Sequence, residues 1–211
     1  MITRRRTAFI VVIVALWASN ARAQTDNRLA VGMSVTMRPT GSENTSGGAD
    51  VGFEMRIGHE RNAWGWQTSF FNWFDTGVSG PIGGRTSDLG EIRIRPIMVG
   101  YGYTRLRGRA AITADVVGGY AFNSFQLDPS ASANYLRLGA TVTSSEVTNT
   151  FAVKPEVLVW YDLNERFGLK LNAGYLIARP TVTIVSTLGE EARAVRADTF
   201  LITVGLVYSL R

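Results

Sequence analysis

The segment that decides the fold is Phe200–Leu210, "FLITVGLVYSL". Phe200, Ile202, Val204, Leu206, Tyr208 and Leu210 are large and apolar, and Thr203, Gly205 and Ser209 stand between them. Alternation with period two marks a strand whose two faces meet different surroundings. A chain end usually carries polar, frayed residues. A long strand in this place therefore calls for a partner strand and an apolar environment.

The same period recurs through the sequence. Leu29, Val31, Met33, Val35 and Met37 alternate with small residues, and Val51, Phe53, Met55 and Ile57 begin a second strand, Val51–Glu60. Trp64–Phe74, Ile92–Tyr103, Ala110–Phe122, Phe151–Tyr161, Phe167–Ile177 and Thr199–Leu210 complete eight. Each is long for a soluble sheet and close to the ~9–11 residues of a tilted membrane-spanning strand. The links alternate in length. "RNA", "RLRGR" and "LNER" follow strands two, four and six, whereas Arg38–Asp50, Asp75–Gly90, Ser124–Thr150 and Ala178–Asp198 are long and rich in turn residues. Short turns on one side and long loops on the other are the rhythm of an up-and-down transmembrane β-barrel.

Aromatic residues sort by end. Trp64, Trp66, Tyr101, Tyr103, Trp160, Tyr161, Phe167 and Tyr208 fall near the short turns. Phe70, Phe71, Trp73, Phe74, Tyr120, Phe122, Phe151, Tyr175 and Phe200 fall near the long loops. Two girdles around an aliphatic band suit the two bilayer interfaces. In hydrocarbon every backbone N–H and C=O must be paired within the protein, so the sheet must close and the last strand is expected to pair with the first.

The first residues read as a secretory signal peptide over 1–23, with Arg4–Arg6, an apolar run of about a dozen residues, and small residues at Ala21 and Ala23. The barrel domain is then 24–211. Four of the 22 basic residues (Arg4, Arg5, Arg6 and Arg22) and no acid lie in the leader, so a net charge of +5 becomes +1 without it. The sequence pI of about 9.9 is thus largely the leader's, and nucleic acid is not an expected partner. Absence of cysteine excludes disulfides and thiolate metal sites.

The last strand resembles the signal read by the outer-membrane assembly machinery, carried by Phe200, Ile202, Val204, Leu206, Tyr208 and Leu210. Ile92–Phe125 resembles the strand–turn–strand core of the small outer-membrane β-barrel domain family, whose OmpA-like and OmpX-like members have eight strands. Such proteins usually finish in Phe or Trp, where Leu210-Arg211 stands here. The resemblance spans nearly all of 24–211. It implies an eight-stranded antiparallel up-and-down barrel in the cell outer membrane of a Gram-negative-type bacterium. Its partners are then outer-membrane lipid and lipopolysaccharide, the assembly machinery, and an unidentified partner of the extracellular loops; a monomer is expected.

The alternate faces carry the polar set Glu54, Arg56, Glu60, Gln67, Arg93, Asp115, Lys154, Glu156, Lys170 and Asn172. Eight strands enclose space that side chains can fill, and enclosed charges must pair. A salt-bridged plug is the primary expectation, with a narrow gated pore as the alternative. No enzyme is expected, because the single histidine, His59 in "GHERN", has no nearby serine and faces away from Glu60. Neither a cofactor nor a metal site is expected. The loop acids match no Ca²⁺-ligand spacing, and "GGYAF" and "GPIGG" lack the strand-to-helix setting of a phosphate loop. Pro96 coincides with an apparent change of phase between Ile92/Ile94 and Ile97–Tyr103, which suggests a β-bulge at Arg95-Pro96. A soluble lipid-binding barrel of calycin type would reverse the two faces.

Overall fold

A computed structural model describes residues 27–39, 47–59, 62–70 and 73–210. The leader and Glu60 lie outside the described residues, as do the side chains of Glu54, Arg56, His59 and Phe70. The strands are β1 (Asn27–Arg38), β2 (Gly48–His59), β3 (Ala63–Phe70), β4 (Phe74–Ile82), β5 (Arg85–Arg107) and β6 (Ala110–Leu127). A helix, α1 (Pro129–Arg137), follows, then β7 (Val142–Val147), β8 (Thr150–Asp162), β9 (Phe167–Ala178), β10 (Thr181–Ser186), β11 (Gly189–Ala194) and β12 (Thr199–Leu210).

Antiparallel pairings trace a closed circuit of eight strands. β1 pairs β2, β2 pairs β3, β3 pairs β5, and β5 pairs β6. β6 pairs β8, β8 pairs β9, and β9 pairs β12. β12 returns to β1 from Leu29 opposite Leu210 to Met37 opposite Ile202. The strand quoted at the outset is therefore the closing seam.

Apolar residues face out. Val35 is 41% exposed, Leu171 48% and Val204 44%, whereas Lys154 is 3% and Lys170 4%. This is the reverse of a soluble calycin, because hydrocarbon rather than water surrounds the wall. On β5 the outward residues run Arg95, Ile97, Val99, Tyr101, Tyr103, Arg105. The two arginines are ten residue steps apart, about 33 Å along the strand. At a tilt of roughly 40° that is about 25 Å along the barrel axis, the height of an outer-membrane apolar band.

Three segments expected as loops are folded. β4 and β5 form a long hairpin, with Ile82 opposite Arg85 and Gly83 and Gly84 both at positive φ (57° and 79°), which a two-residue turn of this hand requires. β10 and β11 form a second hairpin, and β7 pairs with β10 in a separate three-stranded sheet. α1 is capped by Asp128, whose carboxylate accepts from the Ser130 amide at 2.7 Å, and Pro129 suits its first turn. The helix buries Ala131 and Tyr135 on one face, and Gly139 (φ 78°) follows its end.

The expected bulge at Arg95-Pro96 is absent from the ladder. β5 and β6 stay in one register from Gly90 opposite Leu127 to Arg107 opposite Ala110, with Pro96 opposite Ala121. From Glu91 to Tyr103 the side chains keep one phase. Ile92, Ile94, Pro96 and Met98 all point inward, because the lumen becomes apolar toward its extracellular end.

Candidate functional site: the barrel interior

Three layers stack inside the wall. At the periplasmic mouth Trp160 is 8% exposed and packs with Ala30 and Val207. Its indole N–H donates to Asp162 Oδ1 at 2.8 Å. Gly168 supplies the room: a Cβ there would stand 2.7 Å from the indole nitrogen. Trp160 was expected in the periplasmic girdle beside Tyr161, but consecutive strand residues face opposite ways. Tyr161 faces out, and Trp160 closes the mouth instead.

Above it lies a polar layer. Lys154 Nζ meets Glu156 Oε2 at 2.6 Å, and Asn172 Nδ2 donates to that same oxygen at 2.6 Å. Asp115, opposite Glu156 across the β6–β8 ladder, and Lys170, opposite Gly205 across the β9–β12 ladder, are buried in the same interior. Two cations and two anions thus balance. Thr104 and Thr113 share a buried hydrogen bond at 2.9 Å, and Thr36 and Thr203 share another across the seam at 2.9 Å. By register Arg56 lies opposite Ala30 and Glu54 opposite Gly32, and both of those β1 residues belong to its inward series.

The third layer is apolar and was missed by sequence reasoning. Ile92, Ile94, Met98, Val117, Ala121, Ala152, Leu176 and Leu201 form one buried cluster that continues into the extracellular extension through Val78, Leu89, Val182 and Ile184. Phe74, placed by sequence in the outer girdle, belongs to this cluster at 3% exposure. Arg38 is inward as well, pairs with Asp50 at 2.9 Å and lies 5.3 Å over the Phe74 ring. Arg93, placed by sequence in the lumen, faces out above the apolar band and makes a two-pronged pair with Asp75 at 2.9 and 3.0 Å. That partner raises the Arg93 pKa further, chiefly through the hydrogen bond. The signal for Arg93 was parity, since counting back in twos from Tyr103 reaches it, whereas Phe74 begins a separate strand that the parity of Trp64 and Trp66 does not govern.

The remaining aromatic assignments among the described side chains fall on the outer wall, and Phe70 and Phe71 lie outside them. Trp64 stacks on Tyr101 at 5.8 Å and meets Tyr103 edge-on at 5.6 Å, and Trp66 meets Tyr101 at 5.3 Å. Tyr208 meets Phe167 at 5.3 Å near the same end. Toward the other end Tyr120 contacts both Phe122 and Phe151, and Phe200 is 37% exposed. Among the described residues no group of three His, Asp or Glu side chains converges to hold a metal ion.

The extension has its own joints. Arg193 donates to the Pro81 carbonyl at 2.5 Å and pairs with Glu191, which ties β11 to β4. Tyr135 of α1 donates to Glu191 at 3.3 Å; burial first, and then the Glu191 charge, raise its pKa.

A closed eight-stranded sheet with a lipid-facing apolar band and an enclosed polar layer defines a small outer-membrane β-barrel. In solved structures the chain is similar to the outer membrane protein OprG from Pseudomonas aeruginosa, with a TM-score of 0.72 and 15% identity over 89% of this chain and 97% of that one. It is also similar to AlkL in lipid bilayers (0.53, 16%, 89% and 91%) and to Outer Membrane Protein W of E. coli (0.52, 16%, 89% and 100%). No family model and no curated protein sequence matches the chain. The protein has the fold of these small outer-membrane β-barrels.

Proposed function

We propose that this protein is a non-enzymatic, non-conducting barrel that works through its extracellular extension, in adhesion or another surface interaction at the cell envelope. The observation supporting this reading is the occupied interior. Trp160 at the mouth, the Lys154–Glu156–Asn172 group above it and the apolar cluster beyond stack along one lumen. Eight strands leave space for side chains and little more, so the surface available for recognition is the folded rim of β4, α1, β7, β10 and β11.

Planar-bilayer recording on the refolded full-length barrel tests the reading. The expected result is no steady current at moderate voltage, with current steps gained in Trp160→Ala combined with Lys154→Ala. Resolved unitary steps in the unmodified protein would replace the closed barrel with a narrow gated pore.

A further inference from the structure

The outer wall carries a trough that the bilayer alone does not call for. It has a volume of about 470 Å³, within the range of small-molecule sites. Trp64 and Tyr101 line one end, Tyr175 and Phe200 the other, and the small residues Ala114 and Ala173 lie between them. Neighbouring strands are about 4.8 Å apart, so the large aromatic side chains on the flanking strands stand proud of a floor built from the shorter side chains of Ala114, Val157 and Ala173. Because the strands are tilted, a feature running across them also climbs the wall. The trough therefore leads from the periplasmic aromatic belt toward the extracellular one.

Beyond its lower end at Tyr101, two cations of β5 have no ionic partner among the described residues. Arg105 and Arg107 follow Tyr103 on the outward side of β5, both exposed. Among the described residues neither guanidinium pairs with a carboxylate, whereas Arg38, Arg93, Arg179 and Arg193 all do. Two and four residues past Tyr103 amounts to roughly 7 and 13 Å along the strand, which is headgroup depth for a belt that marks the interface. Guanidinium binds phosphate in a two-pronged geometry.

We propose that this wall holds one anionic glycerophospholipid of the periplasmic leaflet, its phosphate on Arg105 and Arg107 and one acyl chain in the trough. The aromatic wall of Trp64 and Tyr101 covers the glycerol region. The site is distinct from the lumen and from the extracellular rim, so the proposed role of the rim can fail without affecting it.

Trp64 and Trp66 report on this site, being 63% and 62% exposed on the same wall. The full barrel, carrying Trp73→Phe to silence an exposed tryptophan elsewhere, is reconstituted in phosphatidylcholine vesicles with dibrominated phosphatidylglycerol or dibrominated phosphatidylcholine at equal mole fraction. The expected preference for phosphatidylglycerol, from the quenching curves, is roughly five-fold per contacting arginine. Arg105→Gln with Arg107→Gln should bring the ratio to one, and Ala114→Phe, which fills the trough, should lower it with both arginines intact. Retained heat-modifiability on gels certifies that each variant is folded. Equal quenching in the unmodified wall leaves the arginines to a protein partner or to water and overturns the proposal. A preference that survives the double arginine variant overturns it too.

Discussion

Trp160 and Tyr161 are neighbours in sequence with opposite duties. The first closes the lumen against Ala30 and Val207, and the second faces lipid. Trp160→Ala should cost about 3–5 kcal/mol, the range for removing a buried large aromatic, read as a lower midpoint in guanidinium unfolding from detergent micelles. The Lys154–Glu156 pair follows different rules. Lys154→Met alone strands a buried carboxylate and should destabilise by about 3–5 kcal/mol, whereas Lys154→Met with Glu156→Leu should recover most of that loss. A double variant as unstable as the single one would mean that the pair is not the unit that matters. Single residues were legible where parity was followed strictly, as for Asp115, Lys154, Glu156 and Lys170. They were misread where residue type was allowed to override it, as for Trp160 and Arg93, or where one expected strand is two, as for Phe74, which begins β4.

Elements outside the membrane were the least legible. Eight alternating strands could be read from Leu29 to Leu210 because lipid on one side and a lumen on the other impose period two. The extension has no such two-sided environment. In β4 the run "FDTGVSGPI" mixes turn formers with Val78 and Ile82, and only pairing with an over-long β5 makes it a strand. The helix signal in "LDPSASANYLR" was present, an Asp cap followed by Pro, but nine residues give too few turns for a visible apolar stripe. Asp128 makes a pH prediction. Its carboxyl is held below the usual range by the Ser130 hydrogen bonds. The folded pKa is depressed, so the cap is fully made above about pH 4 and is lost as pH falls through the lower folded value. Amide exchange in α1 should therefore accelerate in acid, and Asp128→Ser should remove that dependence while keeping the helix. At the joint between sheets, Arg193→Ala removes the donor to Pro81 and the partner of Glu191. Exchange over 181–194 should quicken while β8 and β9 stay protected; equal loosening of both would show that the rim and barrel unfold as one unit.

For the whole molecule, one inversion decides everything: apolar side chains outside, charges within. Aromatic ends, strand length and alternating link lengths made that inversion readable without coordinates. The apolar third layer stayed hidden because an inward isoleucine and a lipid-facing one look alike in sequence, and Ile92 and Ile94 were explained by a bulge that the ladder does not contain. Closure through β1 and β12 also predicts that the folded barrel migrates faster than the boiled chain on a mildly denaturing gel, and that disrupting the seam with Gly32→Val abolishes the difference. A Cβ at Gly32 would stand 2.4 Å from the Leu206 carbonyl oxygen.

The absence of native cysteine makes the most direct test simple. Single cysteines from Thr199 to Ser209, each carrying a nitroxide in reconstituted vesicles, can be scanned for collision with oxygen dissolved in lipid and with a water-soluble nickel chelate. The prediction is a period of two, with Phe200, Ile202, Val204, Leu206 and Tyr208 positions exposed to oxygen and Leu201, Thr203, Gly205 and Val207 positions shielded from it. Oxygen exposure at the second set, with the first set shielded, would contradict the fold's orientation.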